Sequence, residues 1–205
     1  MKIREFQPGD ESAAYHVCLK TGDHGGDGEP YFRDDPDALG RIYVGPYLQF
    51  SPDFALMLED GQGICGYSLG TLDSRAFYRR YDLEWRPQLV QQFADPPGDE
   101  SHMTRLESVY HTYHHPDYFC PEPYNEYPAH LHIDLLPRAQ GQGFGRRMME
   151  ELLRRMATAG AIGVHLGMSA SNDRAHGFYL QLGFHELARD DESIYMGKKL
   201  SDFIQ

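Results

Sequence analysis

No stretch of this chain is apolar for anything near the ~18 residues that a helical membrane span requires, so no such span is expected. Basic residues are scarce as well. Nineteen Lys and Arg stand against 31 Asp and Glu, a formal charge of −12, which argues against a nucleic-acid backbone as partner and suits a cationic small substrate. Cysteine is nearly lacking: Cys18, Cys65 and Cys120 are odd in number, far apart and free of any C-x-x-C pair. That speaks against a disulfide framework or a zinc site and for reduced thiols in a cytoplasm. The opening Met1-Lys2-Ile3-Arg4-Glu5 has no signal-peptide character, and neither internal repeats nor low-complexity segments occur. What is present is sufficient for one packed domain: 205 residues, 40% apolar and 13% aromatic.

The chain is organised around residues 131–147, LHIDLLPRAQGQGFGRR. The apolar run Leu131 to Leu136 predicts a strand that Pro137 ends, because proline lacks the next ladder N–H. Met148, Met149, Leu152, Leu153 and Met156 then recur at helical spacing. Between strand and helix, Gly141, Gly143 and Gly145 leave backbone N–H groups uncovered before a helix N-terminus, a place that favours an anion such as a phosphate ester. The P-loop pattern fails here, since Arg146 and Arg147 replace Lys and Ser/Thr, and so does G-x-G-x-x-G.

Along the rest of the chain, Lys2–Phe6 predicts a first strand and Asp10 an N-cap for a helix ending near Thr21-Gly22. Residues 21–29, TGDHGGDGE, form a loop whose Asp23 and Asp27 are candidates for meeting an amine. A short helix through Ala38, Leu39 and Ile42 is expected to break at Gly45-Pro46-Tyr47. Residues 54–58 and 63–72 read as a hairpin. Residues 74–94 read as a helix with an aromatic stripe at four-residue steps from Phe77 to Phe93. The segment RLESVYHTYHH suggests a strand from its Leu106, Val109 and tyrosines, and a proline-punctuated stretch follows it. A strand over 161–168, a helix from about 172 to 182 and two closing strands complete an α/β alternation.

Two motifs carry a resemblance. Gln140 to Gly145 fits Q-x-x-G-x-G, and S-N-D-R-A-H-G-F-Y-L-Q-L-G-F, ending at Phe184, fits N-x-x-A-x-x-F-Y-x-x-x-G-F. Both resemble the signatures of the GNAT superfamily of N-acetyltransferases, in the right order. Thr21-Gly22-Asp23, Gly45-Pro46-Tyr47, Gly66 to Asp73 and the Phe77–Trp85 segment further resemble the acetyltransferase-like domain at the C-terminus of O-GlcNAcases and its free-standing bacterial relatives.

The resemblance implies a GNAT fold over residues 1–205, a mixed sheet of about seven strands with helices on both faces and an acceptor-specific insertion at about 74–128. It implies acetyl-CoA as cofactor without a metal, an amine acceptor, no membrane or nucleic acid, and pairing of exposed sheet ends into a homodimer. The backbones of Ile133, Asp134 and Leu135 would meet the pantetheine arm, and Gln140, Gly141, Gln142, Gly143, Phe144, Gly145 and Arg146 the pyrophosphate. Asn172 would also meet pantetheine, and Tyr179, two helical turns on, would protonate the departing thiolate. Asp73 joins Asp23 and Asp27 as a candidate acceptor contact.

The base is open. Relatives that acetylate amines often carry Glu where Gly167 stands, yet an alkylamine near pKa 10 is mostly charged at pH 7, worth ~4 kcal/mol of barrier. His130 and His132 resemble the His-x-His of arylalkylamine N-acetyltransferases, set one residue closer to the glycine loop, a difference that a strand bulge would remove. An acyl-CoA-binding module without turnover is the rival expectation.

Overall fold

The computed structural model describes residues 1–203. Seven strands form one mixed sheet in the order β1-β2-β3-β4-β5-β7-β6. They are β1 (Lys2–Glu5), β2 (Ala55–Asp60), β3 (Gly63–Thr71), β4 (Ala129–Leu135), β5 (Gly163–Ser169), β6 (His185–Arg189) and β7 (Ser193–Lys199). All neighbours are antiparallel except β4 and β5. Among the described residues, eight α-helices join them: α1 (Glu11–Thr21), α2 (Gly40–Tyr43), α3 (Gly45–Phe50), α4 (Ser74–Arg80), α5 (Arg86–Gln92), α6 (Arg105–His114), α7 (Phe144–Thr158) and α8 (Asp173–Gln181). No helix among the described residues is long and apolar enough to cross a membrane.

Strand periodicity decides which helix covers which face. On β3, the buried Tyr67 ring meets Cys18 of α1, while a Cβ at Gly70 would lie 3.0 Å from the Met156 sulfur of α7. Thus α1 and α7 cover opposite faces. The apolar positions foreseen on α7, Met148 to Met156, are all buried in the core.

Register then orients β4. Tyr67 pairs with Asp134, Leu69 with His132 and Thr71 with His130, so these three β4 side chains share the α1 face. The β3–β4 register runs without a shift, so the bulge that would have realigned the histidine pair does not occur there.

Three local expectations are corrected. RLESVYHTYHH is helical, because Thr104 and Glu107 close a reciprocal capping box that satisfies two donors at the start of α6. Gly45-Pro46 ends one helix but also starts the next, with Pro46 in the first turn, where its missing N–H costs nothing. Asp10 occupies the N-cap position of α1 without capping it, since its carboxylate binds Arg4 and the Gln7 amide instead. The predicted 74–94 helix is observed as α4 and α5 joined by a π-helical turn at Tyr81–Trp85.

Candidate active site

The parallel strands β4 and β5 are paired only at Ala129–Val164 and His130–His165. Beyond that point β4 stays with β3 and β5 with β7, so residues 131–135 and 166–169 part from each other. Buried backbone groups need partners, and a gap inside a sheet leaves them open to a ligand. Two cavities adjoin along β4 at this gap.

The first, about 470 Å³, is lined by Ile133, Asp134 and Leu135, by Gln140, Gly141, Gly143, Gly145 and Arg146, and by Asn172 and Tyr179 of α8. Gly141 and Gly143 have φ of 72° and 79°, and a Cβ at either would touch nothing within 4 Å. Backbone conformation, not packing, therefore calls for glycine here, and the space outside is free. No side chain caps α7, so its first-turn N–H groups face this groove with the helix dipole behind them.

Two loop side chains brace the chain instead: Gln140 Nε2 donates to the Leu135 carbonyl at 2.6 Å and Gln142 Nε2 to the Arg138 carbonyl at 2.8 Å. Phe144 packs against the core under the Arg147 guanidinium. The side chains of Gln142 and Phe144 thus lie outside the groove lining, which holds the rest of the predicted cofactor set.

Tyr179 is 7% exposed, and its hydroxyl has no hydrogen-bond partner among the described residues while the residue lines the groove. Burial, with the nearby Asp134 carboxylate, raises its pKa well above that of a free phenol, so it stays protonated. Asn172 caps α8 through the Ala175 amide at 3.0 Å. Asp134 accepts the Tyr67 hydroxyl at 2.6 Å. Burial pushes its carboxyl up to about 6, opposed by hydrogen bonds from Tyr67 and Thr21.

The second cavity, about 380 Å³, opens on the α1 face of β4. Its walls are aromatic: Tyr43 and Tyr47 from α2 and α3, Phe77 and Tyr78 from α4, Tyr118 and Phe119 before β4, and Tyr195 on β7. His130, His132 and His165 complete them. Sequence reasoning flagged the Phe77 stripe but missed Tyr47, Tyr118, Tyr195 and His165, which only long-range packing gathers.

His130 is 3% exposed. Ser74 donates its hydroxyl to the Pro128 carbonyl, so at 2.6 Å from Ser74 Oγ the His130 Nδ1 must be the donor. Its Nε2 is then a buried lone pair without a partner among the described residues. His132 has no hydrogen-bond partner among the described residues and is less enclosed. Burial pushes its pKa down to about 4 and drives those of His130 and His165 down too, so all three are neutral at pH 7. Gly167 leaves room for Tyr195: a Cβ there would come within 3.2 Å of that ring, which stacks on Phe119.

The three acidic acceptor candidates are engaged elsewhere and line neither cavity. Asp23 pairs with Arg105 and Asp27 with Lys20. Asp73 caps α4 through the Ala76 amide and accepts the Tyr124 hydroxyl. Loop residues Thr21, His24 and Gly25 border the glycine-turn groove instead.

With this geometry in view, comparison with known proteins is specific. Residues 29–184 match the Acetyltransferase (GNAT) family. The chain is 30% identical over 188 residues to Protein O-GlcNAcase of Rattus norvegicus, covering 91% of this chain and 20% of that protein, so it spans about a fifth of this relative's length. The crystal structure of SsHAT superposes with a TM-score of 0.86 at 35% identity, covering 98% of both chains. YncA from Salmonella typhimurium, solved with its cofactor acetyl-CoA, shares the fold at a TM-score of 0.54 and 14% identity, covering 98% of this chain and 94% of its own. The seven-stranded sheet parted between β4 and β5, the glycine turn into α7 and the matched span together place this chain in the GNAT family of acetyltransferases.

Proposed function

We propose that the protein is an acetyl-CoA-dependent N-acetyltransferase that moves the acetyl group directly to the amine of a small molecule with an apolar body, or of a lysine. The observation that carries this reading is the pair of cavities adjoining along β4, one phosphate-ready and one aromatic. The amides of residues 141–146 and the α7 dipole fit a pyrophosphate, and the open edge of residues 133–135 fits an extended amide-bearing arm. Acetyl-CoA supplies the activated thioester when bound.

The remaining work falls to side chains. The aromatic cavity, walled largely by residues from the 74–128 segment and β4, favours the neutral amine over the ammonium, because desolvation penalises the charge. His132, neutral and without a hydrogen-bond partner among the described residues, takes the proton released as nitrogen bonds to the acetyl carbon. Tyr179 gives its proton to sulfur as the carbon–sulfur bond breaks, and its unpartnered hydroxyl supports this role. His130, held by Ser74, keeps its ring fixed beside the acceptor.

One observation favours a second reading, an acyl-CoA-binding module without turnover. No carboxylate stands at Gly167, and every histidine in the acceptor cavity is a weakened base. Calorimetric titration with acetyl-CoA and with CoA, followed by thiol-release assays across aromatic and aliphatic amines, separates the two. Binding with acceptor-dependent thiol release supports the enzyme. Binding without release from any amine supports the module, and no binding removes both.

A further inference from the structure

A separate cluster of side chains lies at the surface of α6, outside both cavities. His111 and His115 stand one helical turn apart, and their rings stack at 4.2 Å. Asp95, from the loop after α5, reaches both: Oδ1 is 3.3 Å from His111 Nδ1 and Oδ2 is 2.7 Å from His115 Nε2. At the other side of the first ring, His111 Nε2 lies 2.7 Å from Glu100 Oε1.

His111 therefore has a carboxylate at each ring nitrogen. A neutral imidazole carries one N–H and can donate to only one of them. The shorter contact is with Glu100, which places the hydrogen on Nε2 and leaves the Nδ1 lone pair facing a carboxylate oxygen. A cation placed there can share that lone pair and the carboxylate oxygen. The candidate ligand atoms of Asp95, His111 and His115 lie within 4.8 Å of one another. A common point is then within about 3 Å of all three, so small side-chain rotations reach metal bonds of about 2.1 Å.

We propose that Asp95, His111 and His115 form a binding site for a divalent transition metal of the zinc type, with Glu100 holding His111 in the ligating tautomer. Two imidazoles and a carboxylate are a fitting donor set for zinc, with water as the fourth ligand. Glu100 takes the place of the outer carboxylate that orients a ligating histidine. The ion ties the 93–104 loop to α6, and α6 leads directly to residues 116–119, which wall the aromatic cavity. Its consequence is order in the segment that shapes the acceptor side.

The test uses the full chain, free of any affinity tag and stripped with chelator, titrated with Zn²⁺ by calorimetry and with Co²⁺ by visible absorption. One saturable equivalent with ligand-field bands is expected. His115→Ala should abolish it, and Glu100→Gln should keep the stoichiometry while weakening affinity about tenfold. Circular dichroism spectra of both variants matching wild type would show that these substitutions, at exposed positions, leave the fold intact. Failure of wild type to bind a saturable equivalent overturns the proposal, as does an undiminished equivalent in His115→Ala; the cluster is then a hydrogen-bonded group only.

Discussion

His130 and His165 form the last registered pair between β4 and β5, and their ring centroids lie 5.7 Å apart where the strands begin to part. Each commits its Nδ1 to a neighbour, His130 to Ser74 Oγ and His165 to the Tyr127 carbonyl. Two neutral imidazoles in the same tautomer thus close the inner end of the gap. Charging either would place a cation in an apolar wall beside its twin.

His132, one pleat beyond this pair, is the most accessible proton acceptor on that wall. Its pKa of about 4 keeps it neutral from pH 5.5 upward, so its protonation puts no limb in that part of the rate profile. His132→Ala should lower the acetyl-transfer rate by about 10²-fold, to a similar extent at pH 6 and pH 8. Steady-state rates of both proteins at the two pH values check this.

Tyr179→Phe removes a hydroxyl and retains the ring that packs against Phe184. Acetyl-CoA affinity should stay within about threefold, while kcat falls by about 10²–10³-fold. Calorimetry and single-turnover kinetics on one preparation separate the two effects.

Gly143→Glu places a carboxylate at an uncapped helix N-terminus and a side chain at φ 79°. Acetyl-CoA affinity should fall more than tenfold, and Gly143→Ala, which adds only backbone strain of about 1 kcal/mol, should lose less. Titration of both variants against wild type measures the difference.

Asp134 gives a pH signature in stability. Its folded-state pKa, about 6, lies above the unfolded value of a carboxyl, so the folded state holds this proton more tightly. The resulting contribution is fully present below about pH 4 and is lost as pH rises through 6; it amounts to at most about 3 kcal/mol. Asp134→Asn keeps an acceptor for the Tyr67 hydroxyl and removes the buried charge. It should therefore raise Tm relative to wild type at pH 8 and do so much less at pH 4.5, as thermal melts at the two values will show.

The groove at the glycine turn was legible because its determinants are local. A strand ended by Pro137, three alternate glycines and an apolar helix stripe sit within one stretch of chain, and Asn172 and Tyr179 within another. The aromatic cavity was not, because Tyr47, Tyr118, Tyr195 and His165 are far apart in sequence and meet only through the sheet order. The facing of His130 and His132 needed the β3–β4 register, where one residue of slip would reverse it. Two missed features were readable, however. Thr104-x-x-Glu107 announces a helix start where tyrosines and valine suggested a strand. Asp73, three residues before Ala76, is positioned as a cap. Asp23 and Asp27 drew attention by charge, yet Arg105 and Lys20 already neutralise them, a pairing that sequence spacing does not reveal.

The parting of β4 from β5 gives the sheet two interior edges in addition to its two outer ones. An open edge is usually a hazard, since it invites another chain to add a strand. Here the vacancy is walled by α8 on one side and the aromatic cavity on the other, so it admits something as slender as a single extended arm. A guest with spaced amides would serve as a removable eighth strand, and its arrival would mend the sheet. Hydrogen exchange at residues 131–135 and 166–169 should accordingly slow when that guest is present, so that occupancy of the site can be read in the backbone itself.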